Sequence, residues 1–381
     1  MKSKYLSILL LIFGNCLAQE HEVYQNIELK NQDKTEITYL IKDYINGKVT
    51  ADKVFAKFDI ETYKSIDVYK EALSLGGSLY QITSDINILS IKREGSNYFV
   101  STMFYWTNKQ NDENKNTITV LAIIDFWVLK GDNQWKISNY INYQTKNWSS
   151  IQIGNFLYFY HPNHPFDVLK AENANIFYNK FCDFFTIPKS KLIRYYIANN
   201  CNDISQLFGY KYFISDSVND GLCAFYDEEN ELIATSTSYG EMHLHEIIHA
   251  MNVHFPQAHY LLKTGLSCYI NDASSRNQEN IFHFNKFENY IKTNNLNFEK
   301  FEEFENIDEI TSFQYVTGPL ICNAIYRKGG KKLLLEYLNN TKTSDELKKK
   351  LIKDFKIKSF KEFFINEVKY YKAQGKSLLY I

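Results

Sequence analysis

Charge of one sign is what this sequence most lacks. Its 43 Lys and Arg stand against 44 Asp and Glu, a net of −1, and the two signs are interspersed, so no basic face points to nucleic acid and no acidic tail is present. Long apolar runs are equally scarce. Past residue 19 nothing approaches the roughly twenty consecutive apolar side chains that a membrane-spanning helix needs. Cysteine is sparse and scattered: after Cys16 come Cys182, Cys201, Cys223, Cys268 and Cys322, with no CxxC pair among them. That spacing excludes a disulfide framework and a structural zinc knot, and it leaves most of these residues as small buried hydrophobes, with room for one bridge that sequence cannot choose.

What the chain does have is aromatic mass, 29 Tyr and 28 Phe in 381 residues. That supports large packed cores, and the length suits two domains.

Residues 1–19 read as a secretory signal. Lys2 and Lys4 give a positive start, Leu6 to Phe13 an apolar run too short to span a membrane, and Cys16-Leu17-Ala18 a small-residue cleavage site before Gln19. Asn15 does not suit lipoprotein processing at Cys16, so a secreted or periplasmic soluble protein is expected rather than one anchored through that cysteine.

Beyond the signal, Thr35 to Ile45 and Thr50 to Phe58 have helical spacing, and Ile66 to Ser74 a third short helix ended by Gly76-Gly77. Ile82–Lys92, Tyr98–Asn108, Thr117–Lys130 and Trp135–Tyr143 are rich in Ile, Val, Tyr, Phe and Trp, with turn residues between them. They predict an antiparallel sheet and an α+β accessory domain over 20–150. This order of helices and then long strands resembles the cone-shaped nuclear-transport-factor-2-like fold. A polar passage from Asn147 to Gly154 marks the boundary, and a second α+β domain is expected over 155–381.

In that second part, Phe156 to Tyr160 is a strand. His161-Pro162-Asn163-His164-Pro165 reads as a rigid turn with exposed imidazoles, and Asp167 as the N-cap of a helix through Phe185 that Pro188 stops. Strands are expected at Leu192–Ala198 and on both sides of Asp227-Glu228-Glu229-Asn230, with a short helix near Ile204 to Leu207 between them. Leu232–Thr237 is the candidate edge strand, where an extended peptide could add itself to a sheet.

The stretch that carries chemistry is Glu241-Met-His-Leu-His245-Glu246-Ile-Ile-His249-Ala250. On a helix, positions four apart share a face, so the imidazoles of His245 and His249 can converge on one metal ion. Glu246 then sits beside them as a general base, able to take a proton from water and later deliver it to a leaving amine. This is the pattern of a zinc peptidase acting on a peptide or protein substrate. The bland alternative is an amphipathic helix with solvated or core histidines.

From Phe156 onward the order of parts resembles the gluzincin metallopeptidases of the peptidase-MA-like group. The likeness rests on His245-Glu246-Ile247-Ile248-His249, on Leu261-Leu262-Lys263-Thr264-Gly265-Leu266-Ser267-Cys268-Tyr269, and on Ser312-Phe313-Gln314-Tyr315-Val316-Thr317-Gly318 opening a helix. It implies that His245 and His249 are zinc ligands, that Glu246 is the base, and that Tyr315 is a phenol placed to stabilise an oxyanion.

The chain departs from the family at one position. Family members carry a glutamate in the second motif that completes the zinc site, and Thr264 stands there instead. A neutral hydroxyl does not replace a carboxylate on zinc. Candidates for a third ligand are His259, Glu241 and Asp272, with His243 and His254 also nearby in sequence. An inactive relative that binds peptides or a protein in the old cleft is the alternative this position raises.

The C-terminal remainder is expected to be helical, with Ser344 capping a helix through Phe355 and Ser359 with Glu362 forming a capping box for the last one.

Overall fold

The computed structural model describes residues 23–25, 32–45, 54–56, 85–108, 117–131, 134–189, 192–213, 224–228, 230–270, 275–304, 306–308 and 310–374. The signal segment, the helix expected at Ile66 to Ser74, Gly76-Gly77 and Asp272 lie outside the described residues.

A short strand β1 (Val23–Gln25) precedes helix α1 (Gln32–Ile45), whose Ile37, Ile41, Tyr44 and Ile45 are buried at helical spacing. Strands β2 (Asp85–Glu94), β3 (Asn97–Asn108), β4 (Thr117–Gly131) and β5 (Gln134–Ser138) then pair antiparallel in sequence order, and β1 joins β2 in parallel. Gly95, at φ 60°, supplies the left-handed residue of the tight β2–β3 turn. The strand expected to run to Tyr143 stops at Ser138. There the side chain of Asn139 accepts a hydrogen bond from the Ile141 amide and caps a short helix, α2 (Tyr140–Gln144).

Next come β6 (Ser149–Ile153), β7 (Phe156–Tyr160), α3 (Val168–Phe185) and β8 (Ile193–Ala198). They are followed by α4 (Cys201–Leu207), β9 (Tyr210–Phe213), β10 (Ala224–Asp227) and β11 (Leu232–Ser236). The expected N-cap at Asp167 is present, its Oδ1 accepting from the Lys170 amide at 3.1 Å.

The chain divides into two units, one of Met1–Trp148 with Asn200–Cys223, the other of Ser149–Asn199 with Ala224–Ile381. Asn200–Cys223 was expected in the second domain. It belongs to the first because β9 pairs antiparallel with β4, at Ala122↔Phe213 and Ile124↔Tyr210. Across that pairing the ammonium of Lys211 lies 2.7 Å from Oδ2 of the buried Asp125 carboxylate, whose Oδ1 accepts from the Ser101 hydroxyl. Cys201 is disulfide-bonded, whereas Cys182, Cys268 and Cys322 are free thiols.

The second unit has a sheet in the order β10-β11-β8-β7-β6. Strands β11, β8 and β7 are mutually parallel, with β10 and β6 antiparallel at the two edges. The polar passage that marks the boundary is partly strand β6, whose Ile151 and Ile153 alternate with polar residues against β7. Below the sheet, Phe177, Phe181 and Phe185 of α3 pack into one buried cluster with Phe156, Tyr195, Ile247 and Ile248.

Helices complete this unit: α5 (Leu244–Asn252), α6 (Tyr260–Tyr269), α7 (Ser275–Thr293), α8 (Phe313–Asn340), α9 (Ser344–Phe355) and α10 (Phe360–Gln374). A 3-10 turn at Phe298–Glu303 and a small hairpin of β12 (Asn306–Asp308) and β13 (Thr311–Ser312) lie before α8. At Gly330 the backbone leaves helical geometry, at φ 60° and ψ −154°, so α8 is two helical stretches joined across a kink. The cap of α9 is Thr343, one residue before the expected Ser344, and it forms a full capping box with Glu346. Ser359 does accept from the Glu362 amide, at 3.3 Å. Among the described residues no helix is long and apolar enough to cross a membrane.

Candidate functional site

The site is built on α5, and the loop before it is held from the sheet. Two buried tyrosines do this. The Tyr195 hydroxyl, from β8, donates to the Gly240 carbonyl at 2.9 Å and accepts from the His243 amide at 3.0 Å. The Tyr158 hydroxyl, from β7, donates to the Glu241 carbonyl at 3.1 Å. Burial raises the pKa of both phenols, so each stays a neutral hydroxyl. The start of α5 is therefore fixed in height and direction before any site residue is placed.

Glu241, a candidate ligand by sequence, is engaged in this anchoring. Its carboxylate is 1% exposed, and one oxygen takes both His164 Nε2 at 2.7 Å and the Asp167 amide at 2.8 Å. His164 is correspondingly buried, although the proline-flanked turn suggested exposed imidazoles. His259 is engaged as well: it is the N-cap of α6, with Nδ1 accepting from the Leu261 amide at 3.2 Å and Nε2 3.1 Å from the Ser344 hydroxyl. Burial lowers its pKa to about 4, so the ring is neutral and able to accept. His243 stacks on Tyr239, with ring centroids 4.0 Å apart. His254 lies in the turn after α5, its pKa lowered by partial burial.

His245 and His249 do meet. Leu244, Ile247, Ile248 and Met251 are buried and fix the roll of α5, so the half-buried histidine face points the other way. The two Nε2 atoms are 3.0 Å apart. Burial, aided by the Lys263 charge, lowers the pKa of His249 to about 4 and keeps its imidazole neutral, the form that binds metals. Glu246, between them in sequence, is buried.

Helix α6 lies against α5 through Asn252, whose side-chain amide donates to the Lys263 carbonyl at 2.9 Å and to the Ser267 hydroxyl at 3.3 Å. Thr264 is half-buried on this helix. One turn further on, the Cys268 sulfur is 3.8 Å from His245 Nδ1, a neighbour that sequence reasoning did not single out. Helix α8 brings Tyr315 to the same place, its ring edge-on to His245 with centroids 5.8 Å apart. Tyr315 is 46% exposed. Its phenol pKa is pushed up to about 12, chiefly by burial, with Cys268, Glu246 and Tyr239 adding to the rise, so it remains a hydrogen-bond donor at neutral pH.

The edge of the sheet beside α5 is β10, not the expected Leu232–Thr237. Strand β11 is flanked by β10 on one side and β8 on the other, and all five of its residues are buried.

No protein-family model matches this chain, and no curated protein matches it. The arrangement has to speak through its own chemistry. It offers two neutral imidazole nitrogens at one point, a buried carboxylate, a phenol and a thiol around them. Among the described residues, no three His, Cys, Asp or Glu side chains already converge as a metal cage.

Proposed function

We propose that the second unit is a gluzincin-like hydrolase site that uses one zinc ion to cleave peptide bonds. The observation that carries this reading is the 3.0 Å approach of His245 Nε2 and His249 Nε2 on one helix face, which suits a shared ion better than a solvated surface. The donor set fits zinc in kind, since both rings are borderline-soft nitrogen donors and burial holds His249 neutral.

When bound, zinc would polarise a substrate carbonyl and acidify a water molecule. The chain's own residues would do the rest. Glu246 would act as the base toward water and return the proton to the departing amine. Tyr315, held protonated, donates to the oxygen on which negative charge grows. An extended substrate would lie along β10, the antiparallel edge strand of this sheet among the described residues.

A second reading has its own observation. Glu241 and His259 are committed to structural hydrogen bonds, and Thr264 carries no charge, so these positions do not offer the ion a third ligand. On that reading the cleft binds a peptide or partner protein without cleaving it. For the first unit we propose an accessory role, with its helix-then-sheet order fitting a nuclear-transport-factor-2-like fold. Export to an oxidising compartment is in keeping with the disulfide at Cys201.

The deciding measurement is zinc content of the mature protein purified without chelators, beside His249→Ala and Thr264→Glu, followed by peptide hydrolysis. About one zinc per chain that His249→Ala loses, with hydrolysis, supports the enzyme. Zinc bound only by Thr264→Glu would replace it with the binding protein.

A further inference from the structure

The chain is close to neutral as a whole, but its charge is unevenly placed. Between Arg327 and Gln374 stand 14 Lys and Arg against 6 Asp and Glu, which leaves 29 against 38 for the rest. Four of those six acids are engaged within the fold. Glu336 and Asp354 pair with Lys350, Glu367 pairs with Arg327, and Glu346 accepts from the Lys342 and Thr343 amides. Asp345 and Glu362 are left over.

The lysines of α9 divide by the side of the helix they take. Leu347 and Leu351 are buried in the core of the second unit, and Lys348 and Lys350 flank them, turned to Glu302 and Glu336. The opposite face carries exposed Lys349 and Lys353, four residues apart. Asp345 opens that face at its amino end, and Lys356, the exposed C-cap residue, prolongs it. At its centre Ile352 is 43% exposed. Helix α8 adds exposed Lys328, whose ammonium lies 5.1 Å from the centroid of the half-buried Phe355 ring, and exposed Lys358 follows Lys356 by two residues. Among the described residues, none of these five lysines is in an ion pair. Like charges four apart on a helix repel, so the row does nothing for folding.

We propose that this face of α9, with Lys328 and Lys358 beside it, docks the protein on an anionic phospholipid surface. A cluster of lysines on an amphipathic helix is drawn to the negative potential of such a surface. Two features select a membrane over a soluble polyanion. All five cations are lysines, point charges without the guanidinium fork that grips one phosphate or sulfate group, so they answer to the summed field of many charges. Ile352 in their midst gains nothing from a polyanion, whereas at a bilayer it enters the boundary between headgroups and acyl chains. Docking of this kind lies on the surface and needs no spanning helix. It is independent of the histidine pair and of any metal.

The test is co-sedimentation of the full mature protein with vesicles of phosphatidylglycerol or of phosphatidylcholine, with dextran sulfate as the soluble polyanion. Wild type is expected to bind the phosphatidylglycerol vesicles, not the phosphatidylcholine ones, and to be released by high salt. Replacing Lys349, Lys353 and Lys356 together by Gln should weaken binding by about 100-fold, roughly fivefold for each lysine. Lys92→Gln, Lys170→Gln and Lys180→Gln combined make the same change in net charge at exposed positions elsewhere and should leave binding within about twofold of wild type. Ile352→Ser should cost about threefold to tenfold on vesicles and nothing on dextran sulfate. Absence of binding to phosphatidylglycerol vesicles would overturn the proposal, as would equal losses in the two triple variants. If dextran sulfate bound as tightly as the vesicles and Ile352→Ser altered neither, the row would be a polyanion site, and the membrane proposal would fall.

Discussion

Gly265 of α6 and Gly318 of α8 lie backbone against backbone. A Cβ built on Gly265 would come 2.7 Å from the Gly318 Cα, and one built on Gly318 would come 2.6 Å from the Leu261 carbonyl oxygen. Only hydrogen fits between the helices at this crossing. The contact sits one residue from Thr264 and one turn from Tyr315, so it sets how closely the phenol approaches His245.

Gly265→Ala should therefore destabilise the protein, although the same change in an open helix would stabilise it by about 1 kcal/mol. The clash is with backbone, which cannot turn aside, and a loss of about 1–3 kcal/mol is expected. Denaturant unfolding measures it. An unchanged midpoint would mean the helices are further apart than described.

Glu241→Ala should lower stability by about 3 kcal/mol or more, because it strands the Asp167 amide and His164 without their shared acceptor in a buried place. Glu241→Gln should lose less, since an amide oxygen still accepts. If Glu241 were instead a metal ligand, both variants would lose zinc while melting normally.

His259 predicts an acid-side loss of stability. Its folded pKa of about 4 lies below its ordinary 6.5, so between those values the unfolded chain holds the extra proton and protonation favours unfolding. The contribution is complete above pH 6.5 and is lost as pH falls towards 4, since a protonated ring cannot accept from Leu261. Unfolding free energy in wild type should drop faster over this window than in His259→Asn, which keeps an acceptor without titrating there.

Tyr315→Phe removes a donor and leaves the ring. It should reduce peptide hydrolysis by about 100-fold to 1,000-fold with zinc content unchanged. Equal losses of zinc and activity would place Tyr315 in holding the site together instead.

Local signals were readable in the sequence, and long-range ones were not. His245 and His249 come together because a helix repeats, and Asp167 caps because its side chain sits beside free amides. The strands β2 to β4 declared themselves by β-branched and aromatic runs. Strand order did not. That β10 lies outside β11, and that β9 returns to β4, depends on pairings no local pattern encodes. Glu241 and His164, separated by 77 residues, were each plausible surface groups when read alone. Cys268 looked like a small hydrophobe, because its partner stands on another helix.

The pairing of β9 with β4 also bears on the order in which this protein can be made. A ribosome releases β6, β7, α3 and β8 before it releases β9, so the first unit emerges unfinished, with the Ala122–Ile124 stretch of β4 waiting for its partner beside the part that β5 already pairs. A fragment cut at the end of β5 would keep the Ala122–Ile124 stretch without its β9 partner permanently, and would present that stretch of strand edge to other chains. Expression of the amino-terminal part alone is thus expected to give aggregates, whereas the whole chain closes its own seam.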